Sequence, residues 1–144
     1  AWEHTGRATN NHLHLEVHAA PTDSVRPIID SLNRYPRYAT NTELWIAPLP
    51  GTGVIAGTVV DSAGVPIPQA RIYGIVKPVP RETPFAFAET YGPHNRPHPL
   101  YGEQFAISDV PAGIQHLFVV IGGRQIRRTV VVRPGAMSWV EFRP

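Results

Sequence analysis

The sequence contains no cysteine, which excludes both a disulfide framework and a thiolate zinc site. Any metal would have to be bound by histidine and carboxylate side chains. No apolar run is long enough to cross a bilayer, and the scattered basic residues, with a formal net charge of +2, form no cluster typical of nucleic-acid-binding tails. We therefore expect no membrane span and no nucleic-acid partner. We also expect no signal peptide within these residues, and we interpret the start at Ala1 without a Met as a processed or engineered N-terminus.

Charged residues are also few, at 17%, whereas glycine (12) and proline (16) are frequent among the 144 residues. This composition favours short strands and tight turns over long helices. The length suits one ordinary domain, or a fragment of one domain followed by a small complete one.

Residues 11–19, NHLHLEVHA, alternate between apolar and ionisable side chains. Period-two alternation predicts a strand with one apolar face and one ionisable face. The ionisable face carries side chains at intervals of roughly 6.6 Å, so that two or three of them can face one cation. The alternative is the solvated outer face of an edge strand, where such residues are ordinary. The residues concerned are His12, His14, Glu16 and His18.

The next segment changes period. Apolar residues in 22–35 follow helical spacing, which predicts a short helix. Residues 36–52 lose all periodicity and predict a packed linker with Leu44, Trp45 and Ile46 docked on a neighbouring surface. For Trp45 we expect core packing, with an exposed ligand platform as the alternative.

Residues 53–144 are rich in short strand-like runs separated by turn signals, which predicts a β-sandwich. The pair Gly122-Gly123 predicts a two-residue hairpin, because both residues readily adopt positive φ. The apolar positions of these runs predict two facing core layers built from Ile55, Val59, Ile72, Phe105, Ile107, Leu117, Val119, Ile121, Val130, Val132, Trp139 and Phe142.

The segment 77–103 is much longer than a usual loop and is rich in Pro, Gly and His. His94 and His98 have a spacing that suits zinc on a helix, but the prolines around them argue against a helix. The segment is either a solvated loop or a ligand-contacting surface, because aromatic and Arg side chains are enriched at recognition sites. The residues of that surface would be Tyr91, His94, Arg96, His98 and Tyr101.

The segment TGRATNNHLHLEV resembles the signature strand of lysostaphin-type (LytM-like) zinc metallopeptidases, in which TG is followed after a few residues by HLHFEV. The matching residues are Thr5, Gly6, His12, Leu13, His14, Glu16 and Val17. The resemblance implies that His14 binds zinc and that His12 acts in catalysis, as a general base or by stabilising the transition state. The same family completes its zinc site with an upstream His-x-x-x-Asp pair, and no such pair lies before His12. We therefore expect this chain to be inactive alone.

A second resemblance spans residues 53–142, where VIAGTVVDSAGVPIPQARIYG and FAISDVPAGIQHLFVVIGG are similar to carboxypeptidase regulatory-like modules. This resemblance implies a transthyretin-like (prealbumin-like) antiparallel β-sandwich. Together the two resemblances predict a mainly β chain with a strand-helix remnant of a peptidase domain at 1–35, a linker at 36–52 and the sandwich at 53–144.

The expected function is the C-terminal portion of a cell-envelope zinc metalloendopeptidase that cleaves peptidoglycan or peptides. The alternative is a non-enzymatic binding or spacer module of a secreted protein, with a carbohydrate or protein ligand. An exposed N-terminal strand also predicts homo-oligomers, because its unpaired backbone groups seek a partner. The resemblances imply an extracellular or cell-envelope location.

Overall fold

The structure is a computed structural model that describes residues 15, 17–18, 39–76, 87–93 and 95–144. The helix predicted at 22–35 lies outside these residues. Within them the chain forms β1 (Val17–His18), β2 (Ala39–Thr40), a short 3-10 helix (Thr42–Leu44), β3 (Thr52–Val59), β4 (Arg71–Tyr73), β5 (Phe87–Glu89), β6 (Phe105–Pro111), β7 (Gly113–Ile121), β8 (Arg124–Val132) and β9 (Met137–Phe142).

Two sheets form the body of the structure. One has three strands in the order β6-β3-β9, and the other has four in the order β5-β4-β7-β8. The prediction of a mainly β chain with two facing sheets is confirmed. The pairing of β3 with β9 is parallel, however, and so departs from the fully antiparallel sandwich expected. No helix in the described part of the chain is long and apolar enough to span a membrane.

One apolar cluster lies between the two sheets and draws on both. It confirms most of the predicted core, although Ile121 is only partly buried. Its fully or nearly fully buried members are Ile55, Val59, Ile72, Phe105, Ile107, Val110, Leu117, Val119, Val130, Val132, Val140 and Phe142.

The core prediction was wrong for Trp139, which is 47% exposed. Side chains alternate between the two faces of a strand, so Trp139 and Phe142, three residues apart, point to opposite faces. The core takes Phe142 and Val140, and Trp139 lies on the outer face opposite Ala56. By size and apolar character alone Trp139 is the better core residue of the two, but the register gives the inward position to the smaller Val140.

The hairpin between β7 and β8 forms as predicted. Ile121 pairs with Arg124, and the two residues between them, Gly122 and Gly123, have φ values of 55° and 78°. Positive φ at both positions is the requirement of a type I′ turn. The register continues from this turn to the pair Gly113 and Val132.

The central strand β3 approaches β9 closely at Gly57. A Cβ atom at this position would overlap the carbonyl oxygen of Val140 and would lie 3.2 Å from the ring of Phe105. Position 57 therefore requires glycine because β3 lies so close to its neighbours β6 and β9, and not because the chain turns there. Only hydrogen fits between the three strands here.

We expect Gly57→Ala to lower the free energy of unfolding by about 3 kcal/mol, because a methyl group would force the parallel pair β3-β9 apart. Urea unfolding followed by circular dichroism measures this change. Gly92→Ala is the matched control, since its new methyl group would meet only the side chain of Gln69 at 3.8 Å or more. Equal stability of the two variants would contradict the close approach.

Candidate functional site

Of the segment predicted as the histidine strand, the structure describes residues 15, 17 and 18. His12, His14 and Glu16 lie outside the described residues, so their predicted roles stay predictions. Three residues after His14 the chain is extended and forms β1, which pairs antiparallel with β2. The register joins Val17 to Thr40.

Thr40 connects this strand pair to the rest of the structure. Its side chain is buried, and its hydroxyl donates to the carbonyl of Val17 (3.2 Å) and accepts from the indole Nε1 of Trp45 (3.3 Å). On the other side of β2, the backbone of Arg96 donates to the carbonyl of Ala39 (3.1 Å). The pair of β1 and β2 is thereby attached to Trp45 of the linker and to the loop before β6.

The linker itself is attached to β6. Asn41 donates through Nδ2 to the carbonyl of Ala106 (3.2 Å), and the carboxylate of Glu43 accepts from the backbone of Ser108 (2.6 Å). Leu44 packs on the outer face of the three-stranded sheet, against the small cluster that includes Ala106. These contacts cover one edge of that sheet, which would otherwise present unpaired backbone groups.

The linker prediction was right for Leu44 and wrong for Trp45 and Ile46, which are 55% and 50% exposed. Trp45 does not enter the core. Its ring contacts the imidazole of His98 edge-on at 5.2 Å between centroids, and His98 in turn contacts the ring of Tyr101 at 4.9 Å. We call Trp45, His98 and Tyr101 the aromatic surface.

A buried carboxylate holds this surface in place. Glu103 is fully buried and accepts the backbone N–H of His98 with both oxygens, at 3.0 and 3.1 Å. It also accepts from the hydroxyl of Tyr91 at 3.1 Å. The turn closes with N–H groups of Tyr101 and Gly102 donating to the carbonyl of His98.

Burial of the phenol raises the pKa of Tyr91 far above its ordinary value, and the nearby negative charge of Glu103 raises it further. Tyr91 therefore remains protonated and acts as a hydrogen-bond donor at any physiological pH. Its role is to anchor the loop and not to exchange protons.

The sequence predicted part of this arrangement. Of the proposed ligand-contacting residues, the structure brings together Tyr91, His98 and Tyr101. Arg96 is exposed, with its backbone bonded to β2, and His94 lies outside the described residues. The central role of Glu103 was missed. A single glutamate in a polar loop carries no sequence signal, because burial of its carboxylate depends on partners 5 and 12 residues away.

A shallow concavity of about 200 Å³ lies elsewhere, at the four-stranded sheet, lined by residues of β7 and β8 that include His116, Arg127 and Arg128. Its cations are already engaged. Arg128 donates to three backbone carbonyls, those of Arg127, Glu141 and Arg143, and Arg127 donates to Gln125. We assign Arg128 the structural role of joining β8 to β9.

The outer face of the same sheet carries a row of three rings. Phe87 of β5, a strand that the sequence did not predict, lies 5.8 Å from Tyr73, which stacks on Phe118 at 5.1 Å. The guanidinium of Arg71 covers Phe87 at 4.4 Å. Because the rings pack on one another, their faces stabilise the sheet and offer little surface to a ligand.

Within the described ranges, no group of three or more His, Asp or Glu side chains is arranged to bind a metal ion. Comparisons with protein-family models and with curated proteins gave no match. The functional assignment therefore depends on the residues of the chain itself, and the aromatic surface is the most developed site among those described.

We expect Glu103→Ala to lower the free energy of unfolding by about 2 to 4 kcal/mol, because it leaves the Tyr91 hydroxyl and the His98 N–H without an acceptor. Glu89→Ala is the matched control, since Glu89 is exposed and paired only with exposed Arg71, and a change below about 1 kcal/mol is expected. Urea unfolding compares the two. Similar losses would refute the anchoring role of Glu103.

The raised pKa of Tyr91 also predicts a pH dependence. In the unfolded chain the phenol ionises near pH 10, whereas in the folded protein it holds its proton to higher pH. The contribution to stability is therefore complete below about pH 10 and is lost as the pH rises above that value towards the pKa of the folded state. Tyr91→Phe should flatten this loss in urea unfolding between pH 8 and pH 11, and an unchanged profile would contradict it.

Proposed function

We propose that this chain is the C-terminal portion of a cell-envelope zinc metalloendopeptidase, with the sandwich as its non-catalytic attachment. The proposal starts from the resemblance of TGRATNNHLHLEV to the lysostaphin-type signature strand. It places His14 as a zinc ligand, His12 as a catalytic group and the substrate among peptidoglycan or peptides.

The pairing of β1 with β2 is the observation that supports this proposal best. Val17 and His18 are extended and paired directly after the HLHLE run, as a strand of this kind requires. Through Thr40 this strand pair is bonded to Trp45 of the linker, and through Ala39 it is bonded to Arg96 of the loop before β6. A rigid strand would hold two imidazoles at alternate positions in a fixed relation to each other.

The assigned residues do not complete a catalytic zinc site by themselves. Such a site takes three protein ligands and one open position, and the resemblance assigns only His14 as a ligand in this chain. Imidazole is a suitable donor for zinc, so His14 fits as one member of the set. We propose that an upstream His-x-x-x-Asp pair of a longer polypeptide supplies the others.

We further propose that the sandwich is of the carboxypeptidase regulatory-like, transthyretin type. Its two characteristic turns support this. Asp61 closes the first by accepting the N–H groups of Ala63 and Val65, both at 2.9 Å. At the second, Asp109 has a φ of 58° and leads through Pro111 into β7. An extracellular or cell-envelope location follows from the two assignments together.

The alternative is a binding or spacer module without any enzymatic role. The observation that favours it is the core between the two sheets, whose buried members among the described residues come from β3, β4 and β6 to β9. Such a core folds without metal, so the sandwich can serve proteins of many kinds. The two proposed functions are distinguished by whether replacement of His14 reduces hydrolytic activity.

The decisive measurement uses the polypeptide extended upstream to include the expected His-x-x-x-Asp pair. We expect it to bind one zinc ion and to hydrolyse peptidoglycan, and we expect His14→Ala to reduce zinc affinity and hydrolysis by more than about 100-fold, beyond the effect of losing an outer-shell partner. Calorimetry and release of soluble fragments measure the two quantities.

His116→Ala is the matched control, because His116 is an exposed histidine of the sandwich, hydrogen-bonded to Thr129. It should leave zinc binding and hydrolysis unchanged. An upstream reading frame without the His-x-x-x-Asp pair, or full hydrolysis by the His14→Ala variant, would favour the non-enzymatic module.

A further inference from the structure

We propose that the aromatic surface of Trp45, His98 and Tyr101 binds a neutral sugar chain. The inference goes beyond the peptidase proposal, because it concerns a site built by the linker and the loop before β6 and needs no zinc. Three features support this site: the geometry of the three rings, the buried carboxylate that holds them in place and the charge of the three side chains.

The two outer rings of the surface are exposed, whereas large aromatic side chains are mostly buried. Trp45 is 55% exposed and Tyr101 is 44% exposed, although both rings contact His98 and are held in place. The rings meet at interplanar angles of 62° and 33°, so that they form an angled surface and not a closed stack. Part of each outer ring remains open to a ligand.

The second support is rigidity. The loop is fixed by the bonds of Glu103 to His98 and Tyr91, and Trp45 is fixed by its bond to Thr40. Side chains that are already ordered lose little conformational freedom when a ligand binds. An ordered, exposed aromatic group is therefore suited to recognition and is hard to explain as packing.

The third support is chemistry. The indole of Trp45 and the phenol of Tyr101 carry no formal charge, and the carboxylate of Glu103 lies buried beneath them, which disfavours an anion. Since His98 Nδ1 accepts the N–H of Leu100 (3.2 Å), the neutral ring carries its proton on Nε2. Rings with polar edges suit a ligand that has apolar C–H faces and hydroxyl groups, which describes a pyranose.

Size argues against a folded protein as the occupant. Aromatic side chains bury about 150 to 250 Å² each, so the two half-exposed rings, Trp45 and Tyr101, offer about 200 Å². A stable protein interface needs about 800 Å² from each partner. One or two sugar rings match the available surface.

The surface also borders the strand that carries the predicted zinc ligand. Thr40 accepts from Trp45 and donates to Val17, three residues beyond His14. If the peptidase proposal holds, the sugar would be held beside the peptide to be cleaved. The sugar site does not depend on that proposal.

The experiment is a titration of the 144-residue chain with an N-acetylglucosamine tetrasaccharide, in buffer containing a zinc chelator, followed by tryptophan fluorescence and calorimetry. We expect a Kd of about 1 mM or tighter. Trp45→Ala should weaken binding at least tenfold, whereas Trp45→Phe, which keeps a ring, should retain most of it. Circular dichroism verifies that both variants fold.

Trp139→Ala is the matched control, because Trp139 is 47% exposed on the outer face of β9 and contacts no other ring among the residues that the structure describes. It should bind the tetrasaccharide as the parent chain does. The proposal is overturned by absence of binding at about 10 mM sugar, by equal losses in the Trp45→Ala and Trp139→Ala variants, or by displacement of the sugar with a sugar-free stem peptide. Because zinc is removed and His14→Ala should bind normally, failure here leaves the peptidase proposal untouched.

Discussion

The parallel pairing of β3 with β9 brings the last strand of the chain against the first strand of the sandwich, with Gly57 against the carbonyl of Val140. The register runs from Val54 and Met137 to Val59 and Phe142, and it places Val140 and Phe142 in the core. The antiparallel partner β6 fills the other side of β3. Because β3 lies in the middle, the positions of the core, of the edge that the linker covers and of the loop before β6 all follow from this strand.

Local chemistry explains what the sequence could predict. Two consecutive glycines between strand-like runs indicate a hairpin turn, as after Ile121. Alternating apolar residues, such as those of β7, indicate a buried face. The predictions failed where the outcome depends on distant partners. Trp139 is a good core residue by type, but its register assigns the inward position to Val140. The short strand β5 is defined by its pairing with β4, and no local sequence pattern predicts that pairing.

The same distinction holds at the candidate site. Aromatic and histidine residues in a long loop indicated a surface, and His98 and Tyr101 lie in it. Trp45 comes from a segment more than fifty residues away, and the importance of Glu103 comes from its buried carboxylate, which accepts from the backbone N–H of His98 and from the hydroxyl of Tyr91. The aromatic surface thus combines residues of the linker and of the loop before β6, which lie far apart in the sequence. The predicted roles of His12 and His14 depend on resemblance alone and stay predictions.

The direction of β3 and β9 has a mechanical consequence. Since these strands begin and end the sandwich and run parallel, tension applied between the linker and the C-terminus pulls them past each other along their length. All hydrogen bonds between them then bear the load together, whereas in an antiparallel hairpin pulled at its open end they would break one at a time. A sandwich built in this way resists stretching between its two ends.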